Sequence, residues 1–196
     1  MCVKFGKFTV YLYICNMEKL MLDQLNRLSA EDFQKNPKLP VVALLDNVRS
    51  LSNVGAFFRN ADAFGIKKLV LCGVTGVPPN PEIQKTALGA TQTVDWAYFA
   101  TSLEAVQHFV AQNYVILAVE QTDESVYLQD FVFDDALNYV LIFGNEVAGV
   151  DDALLPFCSH AIEIPQVGTK HSLNVGVSAG IVFWSVFEQF LKINKI

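Results

Sequence analysis

The chain has 196 residues, of which 52% are hydrophobic and 17% are charged, and this length suits one well-buried α/β domain better than two. Its net charge of −6 counts against indiscriminate binding of nucleic acid, because phosphate neutralisation needs a cationic surface, whereas a local basic patch remains compatible with it. The four cysteines lie far apart with no CxxC pair, so we expect reduced thiols in a cytoplasmic protein rather than a metal site or a disulfide framework.

Residues 1–40 are predicted to form an N-terminal extension and a short helical leader. The apolar run at 8–15 is as short as a signal-peptide core, but no small-residue cleavage site follows it, so we do not expect secretion. A helix is predicted at 17–33, with leucines along one side, and Ser29 followed by Asp32 resembles a capping box. The main domain is then expected to span residues 41–196.

Strands and helices are predicted to alternate along this main domain. Apolar runs predict strands at 41–45, 67–72, 94–99, 114–119, 139–143 and 161–164. Helices are predicted at 53–64, 81–87, 102–112 and from 172 onward. Asn53 is a good N-cap for the first of them, and Gly65 is a good residue to end it. The alternation indicates βαβ units, and therefore an α/β fold with a mostly parallel sheet flanked by helices.

Polar residues follow the last two predicted strands at the point where each strand ends. The segment 144–146 follows the strand at 139–143, and a polar loop at 166–171 follows the strand that Pro165 stops. The segment 172–174 then opens a long apolar helix. Ligands bind at the carboxyl ends of strands in open α/β sheets, and a helix amino terminus offers unpaired N–H groups. These segments therefore predict a pocket lined mostly by backbone, which suits a ligand with a purine edge and a ribose.

The run at 172–187 carries no charge, although it is too short for a membrane span, which needs about 20 residues. It also contains Asn174 and two glycines. We therefore interpret it as a helix buried in the core or at a subunit interface, and we expect no membrane association.

Three sequence motifs stand out in the main domain. The first runs from Asn53 to Arg59 (NVGAFFR), the second is GNEVAGV from Gly144, and the third is EIPQVGTKHSLNVGVSAGI from Glu163. They resemble the motifs of the SpoU/TrmH family of RNA ribose 2′-O-methyltransferases. The resemblance implies an α/β fold with a C-terminal trefoil knot, S-adenosylmethionine as methyl donor, and tRNA or rRNA as substrate. It also implies a homodimer whose interface builds the active site, and chemistry without a metal.

The resemblance assigns catalysis to five polar residues: Asn53, Arg59, Glu146, Ser172 and Asn174. The family uses Arg59 to activate the ribose hydroxyl; because arginine is effectively never deprotonated, we expect it to bind phosphate and orient the 2′-hydroxyl. The helix around Arg59 looks largely buried, so its charge requires a partner, and the resemblance puts Glu146 beside it. Purely structural interpretations stay open: a surface arginine, a carboxylate that caps the following turn, and plain N-caps for the last helix.

Two further groups of residues are implied around this centre. The residues expected to contact the cofactor through backbone and apolar surface are Gly144, Asn145, Ile164, Gly168 and Leu173. The residues expected to contact RNA are Arg49, Lys85, Lys170 and His171. For these four the alternative is a solvated side chain on the surface.

Two alternative functions share most of these features. A relative that methylates a base nitrogen would have the same knot and cofactor, but Ser172 and Asn174 together with Arg59 favour the ribose. A catalytically silent RNA-binding relative is the second alternative, and the retention of all the polar motif residues argues against it. An unrelated nucleotide-binding domain has no support, because neither GxGxxG nor a P-loop occurs.

Overall fold

The structure is a computed structural model that describes residues 2–5, 8–11, 18–25 and 27–193. Its strands are β1 Cys2–Phe5, β2 Phe8–Tyr11, β3 Leu39–Asp46, β4 Ile66–Cys72, β5 Trp96–Phe99, β6 Val115–Val119, β7 Val126–Tyr127, β8 Tyr139–Phe143 and β9 His160–Glu163. Its α-helices are α1 Ala30–Lys35, α2 Leu51–Phe64, α3 Pro81–Ala87, α4 Ser102–Val110 and α5 Val175–Lys192. Short 3₁₀ turns occur at Leu22–Leu25, Ala90–Gln92 and Leu155–Phe157.

The main sheet has seven strands in the order β5-β4-β3-β8-β6-β9-β7, and every neighbouring pair is parallel. Parallel strands with helices on both faces are buried on both sides, which explains the continuous apolar runs of β3 and β8. The predicted α/β fold with a mostly parallel, helix-flanked sheet is thus confirmed. Because β3, β6, β8 and β9 run in one direction, the residues that follow them meet at one edge of the sheet.

Helices α2 and α5 pack on the same face of the sheet and touch each other closely. Phe57 of α2, Phe143 of β8 and Phe183 of α5 form edge-to-face contacts with ring centroids 5.0 to 6.2 Å apart. A Cβ added at Gly176 of α5 would lie only 3.2 Å from the Ala56 Cβ, so this glycine permits the close approach. The contact brings the amino-terminal ends of both helices to the edge where β3 and β8 end.

Two local predictions are wrong for physical reasons. The helix predicted at 17–33 is reduced to one 3₁₀ turn and the six residues of α1, while Leu20 and Leu28 remain 65% and 53% exposed, because no apolar surface covers them among the described residues. Residues 17 and 26 of the predicted helix and residues 12–15 of the run at 8–15 lie outside the described residues. The N-cap of α2 is Ser50 rather than Asn53, whose side chain is used in a tertiary contact.

Other details of the leader and the membrane prediction can be checked directly. Ser29 caps α1, since its hydroxyl accepts from the Asp32 N–H at 3.1 Å and donates to the Asp32 carboxylate at 2.7 Å. Residues 2–5 and 8–11 pair as a two-stranded antiparallel sheet, which the sequence did not predict. Within the part of the chain that the structure describes, no helix has the length and apolar character that crossing a bilayer requires.

Candidate active site

A cavity of about 740 Å³ lies at the carboxyl ends of β6, β8 and β9. The loops after β6, β8 and β9 and the start of α5 form its walls, and Ile164 and Leu173 are among the apolar residues that line it. This is the location that the polar strand ends and the helix start predicted from the sequence. The size is ordinary for a site that holds a cofactor or a small molecule.

Three side chains from distant parts of the chain form a hydrogen-bonded row beside this cavity, and we call Glu146, Asn53 and Asn174 the polar row. Asn53 Nδ2 donates to Glu146 Oε1 over 2.9 Å. Asn174 Nδ2 donates to Asn53 Oδ1 over 3.1 Å. Each amide therefore uses its NH₂ group toward the carboxylate, and the whole row has one polarity, from Asn174 to Glu146.

Each end of the polar row is anchored on the amino terminus of a helix. At the start of α2, the N–H groups of Arg49 and Ser50 both donate to the Glu146 carboxylate at 3.0 Å. Asn174 is the N-cap of α5, where its Oδ1 accepts from the N–H groups of Gly176 and Val177 at 2.9 and 3.2 Å. Helix starts leave N–H groups unpaired, and Asn174 satisfies two of them in α5, whereas Glu146 binds the N–H of the N-cap of α2 and of the residue before it. The row thus connects two helix starts through side chains.

Burial alone would raise the pKa of Glu146, but hydrogen bonds outweigh it. The Arg49 N–H, the Asn53 side chain and the Ser50 N–H all donate to the carboxylate and hold its pKa below the usual value. Glu146 is therefore ionised at neutral pH, and both its oxygens are occupied. Such a carboxylate orients its neighbours and is a poor proton acceptor. The interpretation that it caps the turn after it is wrong, because its partners lie at the start of α2.

Asn145 closes the loop between Gly144 and Val150 from within. Its Nδ2 donates to the Asn47 carbonyl at 2.7 Å, and its Oδ1 accepts from the N–H groups of Val147 and Ala148 at 2.9 and 3.1 Å. The side-chain amide is therefore fully hydrogen-bonded within the protein. Asn145 also lines the cavity, but this amide is not free to bind a ligand. Gly144 lets the two ends of the loop touch, since a Cβ there would lie 2.1 Å from the Gly149 carbonyl carbon.

Arg59 does not pair with Glu146 within one chain. Its side chain is exposed on the outer face of α2, and among the described residues it has no hydrogen bond or ion pair. Phe57, Phe58 and Ala61 are buried because they lie on the other side of the helix. The expectation that the helix buries Arg59 is therefore wrong: the arginine is exposed, and within one chain the Glu146 carboxylate is stabilised by N–H donors instead. A position of Arg59 beside Glu146 of a second copy stays a prediction.

The family model for "SpoU rRNA Methylase family" matches residues 40–184. The chain belongs to this family. Two relatives carry the name 23S rRNA (guanosine-2'-O-)-methyltransferase RlmB. The protein of Vibrio vulnificus is 27% identical over 169 residues, covering 86% of this chain and 67% of that protein. The protein of Neisseria meningitidis is 28% identical over 173 residues, covering 87% of this chain and 68% of that protein.

Solved SpoU structures share the fold. The AdoMet-bound rRNA methyltransferase from Sinorhizobium meliloti has a TM-score of 0.72 at 25% identity, covering 80% of this chain and 59% of that chain. The TrmH/SpoU tRNA modifying enzyme of A. aeolicus has a TM-score of 0.75 at 23% identity, covering 85% of this chain and 84% of that chain. This chain therefore spans about two thirds of the two RlmB proteins and less than two thirds of the S. meliloti protein.

Some of the remaining predicted site residues line the cavity and others do not. Ser172 and His171 line the cavity, and Ser172 makes no hydrogen bond among the described residues. Gly168 and Lys170 lie in the exposed part of the same loop and do not line it. Two more predicted cations, Lys85 on α3 and Arg49 before α2, are exposed, and Arg49 lines a second cavity of about 790 Å³.

Two carboxylates around the loop from Gly144 to Val150 were missed by the sequence reasoning. Glu120, at the end of β6, accepts from the Val150 N–H at 3.0 Å. Asp46, at the end of β3 and only 1% exposed, accepts from the Asp151 N–H at 2.9 Å. The available signal was their position, since each comes at the carboxyl end of a predicted strand. Within the described residues, no group of three or more His, Cys, Asp or Glu side chains could hold a metal ion.

Proposed function

We propose that this SpoU-family chain is a methyltransferase that moves the methyl group of S-adenosylmethionine onto a ribose 2′-hydroxyl of tRNA or rRNA. The observation that carries the proposal is the polar row of Glu146, Asn53 and Asn174, which borders the 740 Å³ cavity and joins two helix starts. The names of the relatives, which refer to 2'-O-methylation of 23S rRNA, support the same reaction for this chain.

The residues of the cavity suit S-adenosylmethionine. The cavity holds about 740 Å³, and backbone of the loops after β8 and β9 is available for the polar edge of an adenine and a ribose. Gly144, Ile164 and Leu173 would hold the cofactor through backbone and apolar contact, while Asn145 would shape the loop rather than bind with its amide. The bound cofactor would supply an electrophilic methyl group.

The polar row would position the acceptor ribose. Because Glu146 is ionised and already accepts three hydrogen bonds, its role is to fix Asn53 and, through it, Asn174. Ser172 keeps a free hydroxyl at the cavity wall and would donate to a ribose oxygen. Holding the 2′-oxygen in line with the methyl group lowers the barrier mainly through orientation, as in other displacements between two bound reactants.

Arg59 would act across a homodimer interface. The exposed apolar residues of α5 form a stripe at helical spacing, with Val177, Ile181 and Trp184 at 52%, 37% and 50% exposure. α2 packs beside α5, where Asn60 Nδ2 donates to the Gly176 carbonyl at 3.1 Å. Arg59 and this stripe thus lie on two packed helices, and a second copy seated on the stripe would bring Arg59 toward its partner's cavity. There the guanidinium would bind phosphate and orient the 2′-hydroxyl.

Further parts of the proposal follow from the family resemblance. The exposed cations Arg49, Lys85 and Lys170, with His171, would contact RNA phosphates. A trefoil knot in the C-terminal half and a cytoplasmic location belong to the same proposal. Gln189 of α5 donates to the Phe131 carbonyl at 3.0 Å and accepts from the Phe133 N–H at 3.1 Å, which ties the segment before β8 onto the last helix.

The test is methyl transfer in vitro followed by mass spectrometry of nucleosides. Purified protein would be incubated with S-adenosylmethionine and total RNA from cells that lack the protein, and the RNA would be digested. We expect the treated RNA to contain a 2′-O-methylated nucleoside that is absent from the same RNA before treatment. If the new nucleoside is methylated on its base instead, the proposal is wrong and the enzyme methylates a base nitrogen. Failure to bind S-adenosylmethionine in calorimetry would favour the silent RNA-binding relative.

A further inference from the structure

Glu120 lies at the wall of the 740 Å³ cavity and is not part of the polar row. It follows β6 and lines the cavity together with Gln121 and Thr122. One carboxylate oxygen accepts from the Val150 N–H at 3.0 Å, and the other accepts from the Gln121 N–H at 2.9 Å. None of the three sequence motifs contains this residue.

The fit between Glu120 and the loop requires the glycine that precedes Val150. Gly149 has φ +74°, a conformation that other residues rarely adopt, and a Cβ built on it would lie 2.4 Å from the Glu120 carboxylate. The carboxylate therefore packs directly against the backbone of Gly149. A side chain at this position would push Glu120 away from the loop.

A second carboxylate holds the next residue of the loop from the other direction. The Asp151 N–H donates to Asp46, which is buried and is also held by the Ser102 hydroxyl and by Asn47 Nδ2. Two consecutive N–H groups, of Val150 and Asp151, are thus bound by carboxylates from two different strands. The rest of the loop depends on other contacts, namely the Asn145 side chain and the Asn145–Gly149 backbone pair.

We propose that Glu120 is a positioning residue for the methyl donor, because its carboxylate fixes the Gly149–Val150 wall of the cavity while leaving the polar row untouched. The inference rests on the proposed function, since the ligand of the cavity is S-adenosylmethionine in both. Loss of the carboxylate would leave the Val150 N–H without its partner and free this part of the wall. Donor affinity would fall, whereas the groups that orient the ribose would keep their contacts.

The test uses the variants E120A and E120Q, with E124Q as a control that removes an equal charge from an exposed side chain four residues along the chain. Hydrogen bonds to charged groups are strong enough that we expect the Kd of S-adenosylmethionine to rise about tenfold or more in E120A. E120Q keeps one acceptor oxygen and should give a rise of roughly threefold to tenfold. E124Q should bind like the parent protein.

The kinetic readout separates positioning from a general loss of structure. We expect the KM for S-adenosylmethionine to rise with the Kd in the two Glu120 variants, while kcat at saturating donor stays within about twofold. Equal donor affinity in E120A and the parent would overturn the inference, as would a loss confined to kcat. If E120A does not fold, as judged by circular dichroism, the isosteric E120Q decides alone. If the parent protein itself fails to bind S-adenosylmethionine, the proposed function is what fails.

Discussion

The polar row makes a specific prediction about Asn53, because this residue has a carboxylate on one side and an amide on the other. In the variant N53D the oxygen that replaces Nδ2 would face Glu146 Oε1 at the 2.9 Å that now separates donor and acceptor. One hydrogen bond is lost and two carboxylates are brought together. The change keeps the size of the side chain, so packing around α2 should stay as it is.

The expected cost can be worked from this distance. Two unit charges 2.9 Å apart repel by about 6 kcal/mol at an effective dielectric constant of about 20, and by about 1.4 kcal/mol in water. Glu146 is exposed, so we expect about 2 kcal/mol from the repulsion. The lost hydrogen bond adds about 1 kcal/mol. At neutral pH the free energy of unfolding should therefore fall by about 3 kcal/mol.

The stability difference between N53D and the parent protein should depend on pH in a definite direction. Repulsion raises the pKa of the carboxylate pair in folded N53D above its unfolded value, so the penalty is present at neutral pH and disappears as the pair takes up a proton in acid. In the parent protein the pKa of Glu146 is lowered, so its stabilising contribution is present above the unfolded pKa of about 4.3 and is lost as the pH falls through the folded value. The difference between the two proteins should therefore shrink from pH 8 to pH 5.

Urea unfolding followed by circular dichroism, at one protein concentration and at several pH values, measures this difference. N36D is the control, because it makes the same substitution at an exposed side chain that is not part of the polar row. It should change stability little at any pH. A difference between N53D and the parent that is the same at pH 5 and pH 8 would refute the electrostatic reasoning. Unchanged stability of N53D at neutral pH would refute the polar row itself.

Three further predictions test other parts of the site. S172A should lower kcat about tenfold or more without changing the unfolding midpoint, because Ser172 makes no hydrogen bond among the described residues; steady-state kinetics and urea unfolding check this together. W184E should place a charge in the apolar stripe of α5 and thereby prevent dimerisation, which sedimentation measures. Activity should fall together with the dimer, and a fully active monomer would contradict action of Arg59 across the interface. G144A should raise the Kd of S-adenosylmethionine and lower the melting temperature, because its Cβ would lie 2.1 Å from the Gly149 carbonyl carbon; unchanged values of both would contradict the close contact of the loop ends.

The order of strands and helices in the main domain was predictable because each element carries a strong periodic signal. β8 is apolar throughout and buried throughout, and α2 ends at Gly65, whose left-handed conformation matches its predicted role. The leader was not predictable in the same way. Its leucines suggest an amphipathic helix, but a helix of that kind forms only where another surface covers its apolar side.

The convergence of Asn53, Glu146 and Asn174 could be predicted only through the family motifs, since no local rule connects residues so far apart in sequence. The wrong expectation that Arg59 is buried had a local cause. Phe57 and Phe58 are its neighbours in sequence, yet on a helix they point to another side, so their burial says little about the arginine. The N-cap error had a tertiary cause, because Ser50 and Asn53 are equally good caps and the nearby carboxylate decides between them.

The charge around the polar row bears on how an acidic chain would bind RNA phosphate. A helix amino terminus carries the equivalent of roughly half a positive charge, and the starts of α2 and α5 both meet this site. Together they offset part of the negative charge of Glu146, whereas Glu120 and Asp152 add negative charge at the wall of the same cavity. A guanidinium supplied by a second copy would add positive charge where RNA phosphate has to approach. Phosphate attraction in this protein should therefore depend on assembly, and RNA affinity should fall together with dimerisation in the W184E variant.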